Sequence, residues 1–151
     1  EHLERLFSAP PIRYPLEAEL GEQIRLLGYD LAETAAQPGA VLHLTLYWQA
    51  LRHPERDYTV FVHLLDAQGA VRGQHDSAPL NGRRPTTGWM PGEVLVDTYD
   101  IPVAANAGAG RHRLEFGLYY PASGARLPVT RGGQPTGDER VLLPTEVMVG
   151  S

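Results

Sequence analysis

The residue types available for chemistry in this chain are histidines, carboxylates and aromatics, because its 151 residues include no cysteine. Thiol nucleophiles, CxxC redox pairs and Cys-based zinc sites are therefore excluded. No GxGxxG, GxxxxGK[ST] or GxSxG occurs, so a phosphate-cradling loop and a nucleophile elbow are both missing. Ser123 lies in PASG, where a serine normally bonds its own turn backbone.

The remaining candidates form four groups. His43, His63 and His75, with Asp76 and Asp97 nearby in the pattern, could converge on a divalent ion. No HxH or HExxH spacing enforces this, and strand histidines on a polar surface are the better reading. Asp66, Asp76, Asp97, Asp100 and Asp138 fall at strand ends or in loops, where calcium-holding carboxylates occur. Calcium needs about six to eight oxygens, and no DxDxDG loop supplies them. Glu93, Asp97 and Glu115 could face one another as a glycosidase pair, which needs two carboxylates about 5–10 Å apart in a cleft. The fourth group is aromatic. Trp89 sits in a long loop, and Tyr47, Tyr99 and Tyr119 fall opposite the clearest apolar stripe or at strand ends. With Asn81, Arg83 and Arg84 they could form a sugar-stacking platform. Set against this, a loop Trp followed by MPG commonly plugs the end of a core. No catalytic residue, metal site or cofactor is expected.

Strands must position these groups. Val41–Ala50, VLHLTLYWQA, alternates strictly, with Leu42, Leu44, Leu46 and Trp48 on one face. Tyr58–Asp66, YTVFVHLLD, is apolar on both faces, as in a strand covered on both sides. Gln23–Asp30, Val71–His75, Glu93–Ile101, Arg111–Tyr120, Ala125–Val129 and Arg140–Val149 complete about eight strands, with turns at roughly 8–12-residue spacing. Pro144 marks an edge or a bulge in the last of these. Residues 76–92 read as a long loop, and Thr130–Glu139 as a flexible one. The start, EHLERLF, has a weak helical pattern on Leu3, Leu6 and Phe7 that Pro10-Pro11 stops. Residues 1–16 are read as a linker or surface tail, and 17–151 as the domain. The fold class is all-β: a two-sheet antiparallel β-sandwich, jelly-roll-like or immunoglobulin-like. Its expected core is Leu42, Leu44, Leu46, Trp48, Val60, Val62, Leu64, Val94, Val96, Leu114, Phe116 and Leu118.

Composition agrees with this reading. Gly 16 and Pro 13 mark many turns. A formal net charge of -5 gives no drive to bind nucleic acid or an anionic membrane surface. No run approaches the ~20 apolar residues of a membrane span. There is no signal peptide, and a start at Glu1 reads as a piece of a longer protein.

Five segments carry a family resemblance: LGEQIRLLGYDL (20–31), LTLYWQAL (44–51), DYTVFVHLLDAQG (57–69), GWMPGEVLVDTYDIPV (88–103) and RLEFGLYYPASGARLPV (113–129). In this order they resemble a C-terminal domain of large bacterial membrane glycosyltransferases, many from Chloroflexi-like lineages. Those proteins are related to dolichyl-phosphate-mannose protein mannosyltransferases. The resemblance spans 15–149 and implies a non-catalytic accessory module on the extracytoplasmic side of the cell membrane. It would lie beside the membrane domain of its own parent chain, with the catalytic carboxylates in that membrane part. Glycan or cell-envelope polymer is then the expected partner. The alternatives are a structural or protein–protein interaction module and, last, a free-standing hydrolase.

A charge introduced at Leu44 or Phe116 should abolish folding, because an unpaired buried charge is very costly. Soluble expression and thermal melting of Leu44→Asp and Phe116→Asp measure this. Wild-type stability in either variant would refute the strand phase.

Overall fold

The computed structural model describes residues 4–150. Among the described residues there are twelve strands: β1 (Tyr14–Leu20), β2 (Ile24–Leu31), β3 (Ala35–Ala36), β4 (Val41–Ala50), β5 (Thr59–Leu65), β6 (Val71–Gln74), β7 (Val94–Pro102), β8 (Gly110–Tyr120), β9 (Ala125–Arg126), β10 (Val129–Arg131), β11 (Gln134–Pro135) and β12 (Val141–Val149). They make two sheets packed as a sandwich. Sheet A runs β11-β10-β1-β2-β4-β7, and sheet B runs β3-β12-β8-β5-β6 with β9 alongside β8. All ladders are antiparallel except β3–β12, which is parallel.

The expected count of eight strands is corrected upward. β1 alternates Tyr14, Leu16, Ala18 and Leu20 with Pro15, Glu17 and Glu19 and begins inside the stretch 1–16 read as a tail, β3 and β11 are only two residues long, and the stretch read as one return strand divides into β9 and β10. The loop expected over Thr130–Glu139 contains the small β10–β11 hairpin. Leu3 and Ser151 lie outside the described residues. Leu6 is extended rather than helical and bridges Val94.

Period-two burial builds the core. Leu42, Leu44, Leu46 and Trp48 of β4 face Val60, Val62 and Leu64 of β5 and Leu114, Phe116 and Leu118 of β8. Trp48 meets Phe116 edge-to-face across the two sheets at 5.7 Å, a favoured aromatic geometry. The Tyr29 and Thr145 hydroxyls also join the sheets at 2.6 Å. The register of β12 shifts between Leu142 and Glu146, so the bulge falls at Pro144.

One strand has the opposite phase to that expected. β7 sends Leu95, Tyr99 and Ile101 into the core cluster, not Val94 and Val96. Val94 is buried beside the N-terminal segment, and Val96 is half-buried. Both parities of EVLVDTYDI begin apolar. Thr98 and Asp100, exposed on the Val parity, decide the phase.

Residues 76–92 are not a free loop. Ser77 exchanges two backbone hydrogen bonds with Val60, each 2.9 Å. Two 3-10 turns follow, Pro79–Gly82 and Thr86–Gly88. Thr86 accepts the Tyr58 N–H and donates to the Arg56 carbonyl. The segment therefore walks from the β6 edge of sheet B to β7 of sheet A and closes that side of the sandwich. Trp89 is part of this wall, 0% exposed, with its indole N–H donating to the Arg84 carbonyl at 2.9 Å.

Trp89→Ala should cost about 3–5 kcal/mol, as a large aromatic lost from a packed core does. Denaturant unfolding reads this loss. A change under about 1 kcal/mol would show that the wall does not depend on the indole.

Candidate functional site

The four candidate groups separate in the fold. The three histidines do not converge. His43 lies on the outer face of sheet A, with Nδ1 2.5 Å from Glu33, and Glu33 holds its pKa above the ordinary value. His63 lies on the outer face of sheet B. His75 sits at the edge, with Nδ1 donating to the Asp100 carbonyl at 2.7 Å. The aspartates are equally dispersed. Asp66 accepts the Gln68 and Ala70 N–H groups of its own hairpin turn, Asp97 is in the core, Asp100 is exposed, and Asp138 pairs with Arg140. Among the described residues no group of three His, Asp or Glu is placed to hold a metal ion.

The glycosidase trio is also separated. Glu93 is fully buried and bound by Arg84, by Arg5 at 2.5 Å and by the Met90 N–H at 2.9 Å. Burial works to raise its pKa, but these bonds outweigh it and hold the carboxyl below the ordinary range. Asp97 points into the core, 1% exposed. Its carboxylate accepts from the Tyr99 hydroxyl at 2.6 Å, the Leu80 N–H at 2.9 Å and the Trp48 indole at 3.3 Å. Burial pushes its pKa up to about 6, against those three donors and the nearby His75. Glu115 belongs to the other sheet.

The aromatic platform does not assemble either. Trp89 and Tyr99 are core residues. Tyr47 does face outward on sheet A, yet it is only 6% exposed. Its neighbour across the ladder is Gly28. A Cβ at Gly28 would stand 2.6 Å from Ile12 and from the Tyr14 carbonyl, so the N-terminal segment passes over this region. The Tyr47 hydroxyl donates to Asp30 at 2.6 Å, and burial and that carboxylate raise its pKa to about 12. Arg84 is committed to Glu93, while Asn81 and Arg83 are exposed at the turn beyond Leu80. Of the expected set, Tyr119 alone reaches the site described next.

The open face is the outer side of sheet B. There Phe61 of β5 pairs with Gly117 of β8. The ring lies over the glycine so closely that a Cβ at Gly117 would stand 2.6 Å from it. The Arg126 guanidinium covers its other side, 4.1 Å from the centroid. Tyr119 lies beside it at 6.3 Å and His63 at 5.2 Å, ring to ring. Asp76 completes a shallow hollow of about 240 Å³. Its carboxylate lies 3.4 Å from the Tyr119 hydroxyl and 3.9 Å from His63 Nε2. Burial and the Asp76 charge raise the Tyr119 pKa, so the phenol remains a donor. On its far side His63 Nδ1 is 2.8 Å from Glu115, whose other oxygen accepts from Arg140 at 2.9 Å. His63, Glu115 and Arg140 therefore form a hydrogen-bonded row, with Asp76 beyond its end, 3.9 Å from His63.

A larger hollow, about 680 Å³, opens between the Gly21-Glu22 turn and segment 127–139. Its lining, from turns and the short strands β10 and β11, contains neither an aromatic nor a cationic side chain, so it offers less to a polar ligand than the sheet B face. Sequence reasoning had singled out His63, Asp76 and Glu115 for other chemistries and missed Phe61 and Arg126. The available signal was a glycine opposite an aromatic on adjacent strands, which only the register reveals.

No protein-family model matches the chain, and no curated protein matches its sequence. Solved structures do match it. The C-terminal domain of wzt superposes with a TM-score of 0.59 at 13% identity, covering 99% of this chain and 87% of that one. The CARDB domain of a Pyrococcus furiosus protein, in complex with di-metal ions, gives 0.43 at 10% identity over 95% and 96% of the two chains. A β-glucosidase from Listeria innocua, in complex with glucose, gives 0.48 at 13% identity over 89% of this chain and 16% of that one. The likeness to the wzt domain establishes the shared β-sandwich fold. Among the described residues no helix is long and apolar enough to cross a membrane.

The raised pKa of Asp97 has a definite sign. Its ordinary value is 3.8 and its folded value about 6, so between these the folded state holds a proton that the unfolded chain has released. Stability from this group should fall as pH rises from about 4 to about 6, by roughly 2–3 kcal/mol, and then level off. Unfolding of wild type and Asp97→Asn across that range isolates the effect. A constant difference between the two would mean that Asp97 ionises normally.

Proposed function

We propose that this domain is a non-catalytic accessory module that binds glycan through the outer face of sheet B. The hollow of Phe61, His63, Asp76, Tyr119 and Arg126 carries the reading. Sugars present hydroxyls that pair with fixed carboxylate, phenol and guanidinium groups, and C–H faces that suit aromatic edges. Here Arg126 rests over the buried Phe61 ring, and the hydrogen bonds from His63 through Glu115 to Arg140 order that side of the hollow before any ligand arrives. Pre-ordering of this kind lowers the cost of binding.

The same row argues against hydrolysis. A glycosidase needs two carboxylates open to one bond. Asp76 and Glu115 instead have His63 between them, and both oxygens of Glu115 are taken. The order of framework segments along 20–129 supports attachment to a glycosyltransferase-like membrane protein, with the domain on the extracytoplasmic side and its parent's membrane domain as neighbour. Hydrophobic spans in the full-length gene product would test that placement. A protein partner is the second reading, favoured by Leu6, Phe7 and Met90, which are exposed around the start of β7.

Glycan-array binding should be lost, or weakened about tenfold, in Asp76→Ala and Arg126→Ala with melting temperature nearly unchanged. Both side chains lie outside the core. Array binding that neither substitution alters would remove this face as the site, and no binding to any glycan would overturn the reading.

A further inference from the structure

A second hollow, about 390 Å³, lies on the same face of sheet B. It is walled by Leu65, Asp66, Arg113, Arg140 and Leu142 among others. The Glu115–Arg140 pair stands between it and the first hollow. Along β8 the outward positions run Tyr119, Gly117, Glu115, Arg113 and Arg111. Tyr119, in the first hollow, and Arg113, in the second, are roughly 20 Å apart at strand rise. A single sugar fills one hollow; a ligand that fills both must be an extended oligosaccharide.

The charges of the second hollow are unevenly matched. Arg140 is held by Glu115 and Asp138. Asp66 is already taken by Arg72 at 3.0 Å and by its own turn. Glu146 reaches Arg111 only at 3.9 Å. Arg113 donates Nε to the Leu143 carbonyl at 3.0 Å; Glu146 stands opposite it in the β8–β12 ladder and lines the same hollow, but its ion pair is with Arg111, and among the described residues none engages Arg113. In a chain with 18 acidic and 13 basic residues, a half-buried arginine without an acidic partner is poised for an anion from outside. A guanidinium held in this way presents its remaining donors as a planar fork suited to carboxylate or phosphate.

We infer that the ligand is an extended acidic glycan that spans both hollows and places an anionic group on Arg113. This rests on the glycan-binding reading of the same face. The two sources of the anion, a uronate carboxylate and a sugar phosphate, share one chemistry, and the test distinguishes them.

The test is titration of the intact 151-residue chain, followed by calorimetry and backbone-amide NMR. The probes are oligogalacturonate, its neutral methyl ester, galacturonate monomer and a phosphate-bearing oligosaccharide. One or both acidic oligomers should bind at least tenfold more tightly than the methyl ester and the monomer, with shifts in both hollows. Binding by the uronate or by the phosphate oligomer alone identifies the source. Arg113→Gln should remove that preference while leaving methyl-ester binding unchanged. If Arg113→Gln fails to fold, Leu142→Glu, which adds a carboxylate to the wall of the same hollow, is read in its place with the same expected loss. Equal binding of acidic and neutral oligomers, or a preference that survives both substitutions, overturns the inference and leaves glycan binding standing. No binding by any probe overturns the inference, and the array experiment then decides the broader reading separately.

Discussion

Two buried carboxylates on and beside one strand hold the closing wall of this sandwich. Glu93 gathers Arg5, Arg84 and the Met90 N–H, and Asp97 gathers Leu80, Trp48 and Tyr99. A buried carboxylate is tolerated only when its oxygens are satisfied. Each therefore constrains its donors as firmly as they constrain it. Leu80 and Asn81 adopt left-handed backbone, at φ of 53° and 54°, a conformation that costs non-glycine residues roughly 1–2 kcal/mol each. The Leu80–Asp97 bond anchors that turn against the core. Without these anchors Trp89 would have no fixed place, and the gap between β6 and β7 would open.

This arrangement decides where a ligand can sit. The loop-rich side, which a binding site often occupies, is here spent on closing the core. The outer face of sheet A is crossed by the N-terminal segment at Gly28 and carries an internally paired Tyr47–Asp30 contact. The outer face of sheet B is covered at Gly117 by Phe61 and the Glu139 carbonyl and at Phe61 by Arg126, and its two hollows open on either side of the Glu115–Arg140 pair. Its side chains come from rigid strands, so their separations are set by the ladder, and its charged row is ordered in advance.

Much of the architecture was legible because burial has a period of two. The stripes on β4 and β8 placed the core residues of those strands correctly, and Pro144 marked its bulge. The β7 phase failed because both parities of EVLVDTYDI are apolar at the start and only two polar residues distinguish them. The apolar outer positions of β5 suggested a covering layer. In fact Phe61 is covered by Arg126 and flanked by Tyr119 and His63. The site was hardly legible. Trp89 and Tyr99 looked available because a loop residue and a strand-parity residue carry no mark of burial, whereas the His63–Glu115 pair depends on register between strands 52 residues apart. Composition and spacing do not encode that register.

The borders of the two sheets carry a consequence of their own. Sheet A ends in the two-residue β11, which contains Pro135, and sheet B ends in the two-residue β3. At the opposite borders the Arg72 carbonyl of β6 accepts from Ala104, and the start of β7 is taken by Leu6. Among the described residues β3 pairs β12 only at Met148 and Val149, and Leu6 bridges β7 only at Val94, so the rest of these long strands is an edge interrupted by the bulge at Pro144 and by Pro102. A proline removes one donor from the row that a second strand would need, so crowded copies of such a module are kept from zipping together by these interruptions rather than by a covering strand.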